Sequence, residues 1–197
     1  MKLDLVFTGV GGQGVVVLSD IFCEAAMLDG FDVAKAEVHG MAQRGGAISA
    51  HVRIGDVVVS PLIERGKGDI VVGFEVLETA RALPMLKPKG TVVVNTKYIP
   101  PSSLFQSSAK PLQPEELLAM IQKKASRVYE VDGMAIAGKL GNLMVVNTVL
   151  LGAVSVLPEN PVKEESFKQA ISSLLKENYI SLNLQAFEAG RESVFLR

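Results

Sequence analysis

The chain has 197 residues, of which 48% are hydrophobic and 21% charged, a composition that predicts one globular domain over 1–197. Its 20 Lys and Arg against 21 Asp and Glu give a formal net charge of −1, so no general attraction for nucleic acid or anionic membranes is expected. Cys23 is the single cysteine and there are two histidines, which excludes an iron–sulfur cluster and leaves too few ligands for a convincing zinc site. We therefore expect no metal in this chain and any redox centre in a partner.

Neither apolar stretch of the sequence predicts a targeting or membrane segment. The first is interrupted by glycines, unlike the continuous apolar core of a signal peptide. The second, 140–157, is shorter than the ~20 residues needed to cross a bilayer and contains Asn, Thr and Ser. We expect a cytoplasmic protein whose first residues already belong to the fold.

The first third of the sequence has the pattern of a βαβ unit. A β-rich apolar run at 3–8 ends in a glycine cluster, and the apolar spacing from Gly14 onward is that of one helix face. Gly30 stands where a glycine commonly ends a helix, and 31–36 is predicted as the second strand.

The rest of the sequence predicts a mixed sheet followed by helices. Two β-branched runs, 47–53 and 57–60, flank a Gly-containing turn and predict a hairpin, whereas 69–73 and 91–95 are continuous apolar runs typical of buried parallel strands. The remaining predicted elements are a helix at 75–83, a loop at 98–114, a helix at 115–124, a strand at 127–131, and helices at 143–156, at 161–176 with Asn160 as N-cap and Pro161 as first residue, and at 181–194. The predicted fold is a three-layer, Rossmann-like α/β domain with a mostly parallel, mixed sheet and C-terminal helices.

The glycine cluster matches G-x-G-x-x-G between a predicted strand and a predicted helix. Glycines allow a tight turn there and let backbone N–H groups approach a phosphate at the positively polarised end of the helix. The candidate cofactor-binding residues are therefore Gly9, Gly11, Gly12, Gln13 and Gly14. The alternative is that the glycines serve strand–helix packing alone and that Gln13 braces the turn.

A standard NAD site is only weakly indicated by this unit. In such a site an acidic residue at the end of the second strand binds the ribose of NAD. No residue here fits that position clearly, because Asp32 comes early in the strand and Glu37 already leads into another motif.

A second polar and glycine-rich cluster, 37–46, follows that strand. Arg44 beside two glycines is suited to grip a phosphate or carboxylate, while His39 has no nucleophile or acid at an interpretable spacing, so no catalytic residue is predicted. The residues predicted to form an interface or ligand loop are His39, Met41, Gln43, Arg44, Gly45 and Gly46. Later polar residues near the same sheet edge, Asp132, Asn142 and Asn147, are interpreted as caps or hydrogen-bond partners.

The two clusters, GVGGQG and HGMAQRGG, together resemble the gamma subunit or domain of the 2-oxoacid:ferredoxin oxidoreductases. Leu140-Gly141-Asn142, Asn147 and 183–190 are similar to later landmarks of the family, so the resemblance covers nearly the whole chain. His39-Gly40-Met41-Ala42-Gln43 looks like the indolepyruvate branch, in which the counterpart of this chain is the beta subunit.

The resemblance implies that a larger partner holds thiamine diphosphate, magnesium and [4Fe-4S] clusters, and that the assembled enzyme converts an arylpyruvate and coenzyme A into an acyl-CoA, CO2 and reduced ferredoxin. It also implies that the isolated chain is inactive and that the glycine turn and Arg44 contact either coenzyme A or the larger subunit. A pyruvate- or 2-oxoglutarate-type gamma subunit, a free-standing dinucleotide-binding oxidoreductase and a purely structural subunit remain alternatives.

Overall fold

The computed structural model describes residues 1–40, 46–100 and 111–194. The six strands, taken in chain order, are β1 (Lys2–Val10), β2 (Asp32–His39), β3 (Ala47–Gly55), β4 (Gly68–Gly73), β5 (Leu86–Asn95) and β6 (Arg127–Val131). The helices are α1 (Val15–Leu28), α2 (Val76–Ala82), α3 (Pro114–Lys124), α4 (Gly133–Lys139), α5 (Val146–Ser155), α6 (Glu164–Leu174) and α7 (Glu177–Ser193), with 3-10 turns at Leu83–Met85 and Leu143–Val145.

The strands form one sheet in the order β2-β3-β1-β4-β5-β6. β1, β4, β5 and β6 are parallel, while β3 is antiparallel to both of its neighbours, β1 and β2. β2 therefore runs in the same direction as β1. The carboxyl ends of five strands consequently meet at one edge of the sheet, where ligands bind in open α/β folds.

Helices cover both faces, which confirms the predicted three-layer α/β fold. On one face, α1, α6 and α7 pack over β1 through a row of aromatic rings, with centroid separations of 5.9 Å for Phe7 and Phe22, 5.5 Å for Phe22 and Phe167 and 5.8 Å for Phe167 and Phe187. On the other face, α2 and α3 pack on Val71, Val92 and Val94 among other buried residues. None of the helices in the described ranges is long and apolar enough to cross a membrane.

The C-terminal helices α5 and α7 are set close to each other by small residues. A Cβ added to Gly152 of α5 or to Gly190 of α7 would lie 2.0 Å from a backbone carbonyl oxygen of the other helix. The two helices can therefore approach this closely only because both positions are glycine. This packing holds the N-terminal end of α5 beside the carboxyl edge of the sheet.

The predicted hairpin between 47–53 and 57–60 is wrong. β3 instead hydrogen-bonds to β1 on one side and β2 on the other, so neither edge of β3 is free for 57–60. That segment is irregular and is held by side chains: the Val58 N–H donates to Asp32, and Arg53 donates to the Ser60 carbonyl. The sheet is mixed as predicted, but the antiparallel pairs come from β3.

The predicted start of the second C-terminal helix is also wrong. α6 begins at Glu164, and the side chain of Asn160 instead donates to the carbonyls of Ser155 and Val162 and accepts the Val162 N–H. Asn160 therefore stabilises the turn between α5 and α6 and does not cap a helix that starts at Pro161. The predicted set of three C-terminal helices also omits α4, which follows β6 directly.

Candidate functional site

The two glycine-rich clusters meet at the carboxyl edge of the sheet. The first forms the turn between β1 and α1, and the described part of the second flanks the connection from β2 to β3. The Gly11 N–H donates to the Gly46 carbonyl over 3.0 Å, so the clusters are hydrogen-bonded to each other. Of the second cluster, Met41, Ala42, Gln43, Arg44 and Gly45 lie outside the described residues.

Gln13 is the start of a hydrogen-bonded chain that joins the ends of four parallel strands. Its Oε1 accepts the Val10 N–H over 2.6 Å and its Nε2 donates to the Phe74 carbonyl over 3.2 Å. Asn95 Nδ2 donates to the same carbonyl over 3.0 Å, and Asn95 Oδ1 accepts the Gly133 N–H over 3.1 Å. Gln13 thus braces the turn, and Asn95, which the sequence analysis did not single out, fixes β5 and β6 relative to it.

The glycines of the turn differ in what they permit. Gly12 and Gly14 have left-handed backbones, with φ of 96° and 86°. A Cβ on Gly14 would also lie 2.9 Å from Asn147 Nδ2, and one on Gly9 would lie 2.7 Å from two neighbouring side-chain atoms. A Cβ on Gly11 would meet only a carbonyl oxygen at 3.7 Å, an ordinary contact. Gly9, Gly12 and Gly14 are therefore required by geometry, whereas the turn itself has room for a side chain at Gly11.

The N-terminus of α1 is open to a ligand. The helix has no side-chain cap and no acidic residue in its first turn. The N–H groups of Gly11 and Gln13 are used within the protein, but those of Gly12, Gly14 and Val15 have no acceptor among the residues that the structure describes. Unpaired N–H groups at the positive end of a helix are suited to bind an anion.

Asn147 adds a further donor to this position. The side chain belongs to a residue that is only 8% exposed, and its Oδ1 accepts the Thr148 N–H over 2.9 Å. This hydrogen bond identifies which end of the Asn147 amide is the oxygen, so Nδ2 is the atom that faces Gly14. Nδ2 has no acceptor within the described ranges. Below it, the Thr148 hydroxyl donates to Asn183 Oδ1 over 2.5 Å, which holds α5 against α7. The amide N–H2 group faces the cavity, where a ligand or water can accept a hydrogen bond from it.

These donors border a cavity of about 270 Å³. Its base is formed by the glycine turn and Asn147, and its wall is mostly apolar. The apolar lining residues are Val17, Met134, Leu143, Met144 and Val146. Leu143 and Met144 are exposed, so the mouth of the cavity opens towards solvent. The cavity is suited to a ligand with an anionic group at one end and an apolar portion beside it.

The remaining predicted residues have local roles in the structure. The side chain of Asp132 accepts the Ala135 N–H at the start of α4, and that of Asn142 accepts the Met144 N–H at the following 3-10 turn, as caps do. His39 is exposed, and its Nε2 lies 3.1 Å from a carboxylate oxygen of Glu37.

Glu37 itself is held by its own strand. Its other carboxylate oxygen lies 2.9 Å from the Lys35 ammonium, and the pKa of the Glu37 carboxyl is lowered chiefly by that hydrogen bond. The carboxylate is thus already paired with Lys35 and placed beside His39, which gives no support to a ribose-binding role.

Glu75 is a second residue that the sequence analysis did not identify as part of the edge. It comes two residues after the end of the buried strand β4, is fully buried and is the N-cap of α2. Its carboxylate accepts the N–H groups of Leu77 over 3.0 Å, of Ile99 over 3.2 Å, and of Glu78. Burial raises the pKa of this carboxyl, and the three N–H donors oppose that rise. The signal in the sequence was an acid two residues after a continuous apolar strand.

The described residues contain no group of three or more His, Cys, Asp or Glu side chains that would hold a metal ion. Cys23 is buried in α1, and burial raises the pKa of its thiol to about 12. The thiol is therefore protonated at neutral pH and unsuited to act as a nucleophile. The chemistry that this edge can supply is binding by hydrogen-bond donors.

Residues 4–193 match the family described as pyruvate ferredoxin/flavodoxin oxidoreductase. The chain belongs to this family. It is 39% identical over 191 residues to the indolepyruvate oxidoreductase subunit IorB of Methanothermobacter thermautotrophicus, with 96% of each chain covered. It is 38% identical over 190 residues to IorB of Archaeoglobus fulgidus, covering 96% of this chain and 94% of that one. With the pyruvate/ketoisovalerate oxidoreductases common subunit gamma of Thermococcus litoralis, the identity is 32% over 171 residues, 86% of this chain and 84% of that one.

Solved structures share the fold. The gamma subunit of a keto/oxoacid ferredoxin oxidoreductase from Geobacter sulfurreducens superposes with a TM-score of 0.73 at 24% identity, over 99% of both chains. The 2-oxoglutarate:ferredoxin oxidoreductase from Magnetococcus marinus gives a TM-score of 0.75 at 20% identity, over 100% of this chain and 31% of that longer one. The resemblance drawn from the two glycine-rich clusters is confirmed, and the chain is a subunit of a 2-oxoacid:ferredoxin oxidoreductase.

Proposed function

We propose that this chain is the subunit without clusters of an indolepyruvate-type 2-oxoacid:ferredoxin oxidoreductase in the cytoplasm. The observation that carries the proposal is its higher identity, over nearly its whole length, to the indolepyruvate subunits than to the common gamma subunits. The larger partner holds thiamine diphosphate, magnesium and [4Fe-4S] clusters. The assembled enzyme decarboxylates an arylpyruvate, transfers the acyl group to coenzyme A and passes two electrons to ferredoxin.

We assign to this chain a role in the approach of coenzyme A. The open N-terminus of α1 and the Asn147 amide supply N–H donors for a phosphate, and the apolar wall beside them suits the less polar arm of the same molecule. The role proposed for Gly9, Gly11, Gly12, Gln13 and Gly14 is to shape this turn. Arg44 stays a predicted contact either to the coenzyme A phosphates or to the larger subunit.

The proposal is tested on the complex purified from its native source. Mass spectrometry is expected to identify one larger partner that carries CxxC-type cluster motifs. Ferredoxin reduction is then compared for indolepyruvate, pyruvate and 2-oxoglutarate, each with and without coenzyme A. We expect kcat/KM to be at least about 100-fold higher for indolepyruvate, a difference of roughly 3 kcal/mol in transition-state binding, and to require coenzyme A.

The outcomes separate the alternatives. Preference for pyruvate or a branched 2-oxoacid would replace the indolepyruvate assignment by the common gamma type, which the identity to the Thermococcus litoralis subunit favours as second candidate. Reduction of NAD by the isolated chain would overturn the family-based proposal altogether. We expect the isolated chain to be colourless, iron-free and inactive towards all three 2-oxoacids, because it has one cysteine.

A further inference from the structure

A second cavity, of about 290 Å³, opens on the α2 side of the sheet, away from the cavity at the glycine turn. In the sheet register, Thr8 of β1 lies opposite Ser49 of β3, and Val6 lies opposite His51. These four side chains are on the face against which α2 packs, because Val6 belongs to the core cluster formed with α2. The cavity therefore has a floor from β1 and β3, a wall from α2, where Glu78 and Arg81 line it, and a further side at the end of β2, where Val38, His39 and Gly40 line it.

His51 presents a fixed hydrogen-bond donor on this floor. The residue is 8% exposed, and its Nδ1 accepts the Ile63 N–H over 3.1 Å. An acceptor at Nδ1 requires the neutral tautomer with its hydrogen on Nε2, and burial lowers the pKa of the imidazole, which favours that neutral form. The Nε2–H group has no acceptor in the part of the chain that the structure describes.

Three further donors converge on the same space. The Thr8 hydroxyl belongs to a residue that is 4% exposed, and neither it nor the Ser49 hydroxyl has a hydrogen-bond partner within the described ranges. Arg81 uses Nη1 for Glu78 Oε1 over 2.5 Å, and its Nε and Nη2 groups have no acceptor among the residues that the structure describes. The carboxylate of Glu78 is paired with this guanidinium. The polar groups named here that have no partner among the described residues are all hydrogen-bond donors.

We propose that this cavity binds a small carboxylate with a short apolar substituent. The carboxylate oxygens accept hydrogen bonds from the free side of Arg81, from His51 Nε2 and from the floor hydroxyls. The substituent packs against Val6, Ala82 and Met85, and Val38, Ala47 and Ile48 are further apolar residues of the lining. No residue of the glycine turn contributes, although Val38, His39 and Gly40 at the end of β2, beside the loop predicted to contact coenzyme A or the larger subunit, also line the cavity.

A pair of isosteric probes tests the chemistry on the full chain. Isobutyrate and its neutral amide, isobutyramide, are titrated into the wild-type chain while the ring 15N and 1H resonances of His51 are followed by NMR. A His39→Gln variant serves only to assign the two histidines, because His39 also lines the cavity. We expect isobutyrate to shift the His51 Nε2–H resonance saturably, with a Kd on the order of 1 mM. Isobutyramide is expected to bind at least about tenfold more weakly, because it lacks the charge that Arg81 recognises.

Two variants should change the affinity for isobutyrate in opposite directions. Arg81→Gln is expected to weaken binding about tenfold or more, since it removes the cation and leaves Glu78 unpaired. Glu78→Gln is expected to tighten binding, because it frees the guanidinium and removes a like charge. Thr8→Val, nearly isosteric, should weaken binding by about threefold to tenfold through the loss of one hydrogen bond. Arg65→Gln is the control, because Arg65 is exposed and lies outside the cavity.

The proposal is overturned if His51 shows no saturable shift, if isobutyramide binds as tightly as isobutyrate, or if folded Arg81→Gln and Glu78→Gln chains both keep the wild-type affinity. Thermal unfolding of each variant establishes that the folded chain is being measured. Even if Arg81→Gln fails to fold, the comparison of the two probes on the wild-type chain still decides the question.

Discussion

Two helices begin at the carboxyl ends of the neighbouring strands β1 and β4, and their N-termini differ. α2 is closed by its own chain, because the buried Glu75 carboxylate accepts the N–H groups of Leu77 and Glu78. The N-cap of α1 is Gly14, which has no side chain to cap the helix, and the Asn147 amide nitrogen, without an acceptor among the described residues, lies against it. The donors of the helix N-terminus are thus paired by the protein's own side chain at β4 and left without a partner among the described residues at β1.

This difference has a physical origin in the N-cap residue of each helix, Glu75 for α2 and Gly14 for α1. Glu75 has an extended backbone that lets its side chain fold back over the helix end. Gly14 has a left-handed backbone and no side chain, so it offers no acceptor. An N-terminus that keeps its donors unpaired is less stable by itself, and such a position is retained where binding compensates for the loss.

The largest expected effect is the loss of stability when the side chain that caps the N-terminus of α2 is removed. Glu75→Ala removes an acceptor for three N–H groups in a buried position, and we expect a loss of roughly 3 to 5 kcal/mol in the free energy of unfolding. Chemical denaturation of the isolated chain measures it. Asp132→Ala is the matched control, because Asp132 caps α4 with one hydrogen bond at an exposed position and should cost about 1 kcal/mol. Equal losses would show that the burial of Glu75 is unimportant.

The next largest effect is the loss of stability when a side chain is added at Gly14, the N-cap of α1. Gly14→Ala forces a side chain into a left-handed conformation and against Asn147, and we expect it to cost about 2 to 4 kcal/mol. Gly11→Ala, in the same turn, has space and should cost less than about 1 kcal/mol. Thermal unfolding of both variants makes the comparison. A Gly14→Ala chain as stable as Gly11→Ala would mean that the close contact with Asn147 is not rigid.

A smaller effect is expected in the pH dependence of stability. Burial raises the pKa of Glu75 in the folded chain above its ordinary value of 4.5, so the folded state binds this proton more tightly than the unfolded state. The stability contributed by this shift is present at low pH and is lost as the pH rises through the folded pKa. Relative to Glu75→Gln, the wild type should therefore become less stable as the pH rises above 4.5. A constant difference from pH 4 to 8 would contradict the shift.

Much of the fold follows from local sequence patterns. The glycine turn, α1 and the parallel strands were predictable because their signals lie within a few residues of one another. The position of β3 between β1 and β2 was not, since 57–60 is as β-branched as a true strand and only pairing decides which segment enters the sheet.

The same distinction applies to the site. The glycines around Gly14 predict a turn from the sequence alone. The contacts of Asn147 with Gly14 and of Asn95 with the Phe74 carbonyl, however, depend on elements far apart in the chain. The role of Glu75 likewise depends on its burial and on Ile99, which lies 24 positions later.

The proposed binding of a coenzyme A phosphate at the open end of α1 is tested by the substitution Asn147→Asp. The substitution places a carboxylate at the unpaired amide and so makes α1 resemble α2. We expect KM for coenzyme A in the purified complex to rise at least about tenfold, while the chain keeps its stability or gains about 0.5 to 1 kcal/mol from the charge at the helix end. Asn142→Asp adds the same charge at a neighbouring cap and should leave KM unchanged. An assembled Asn147→Asp complex with an unchanged KM for coenzyme A would contradict the claim.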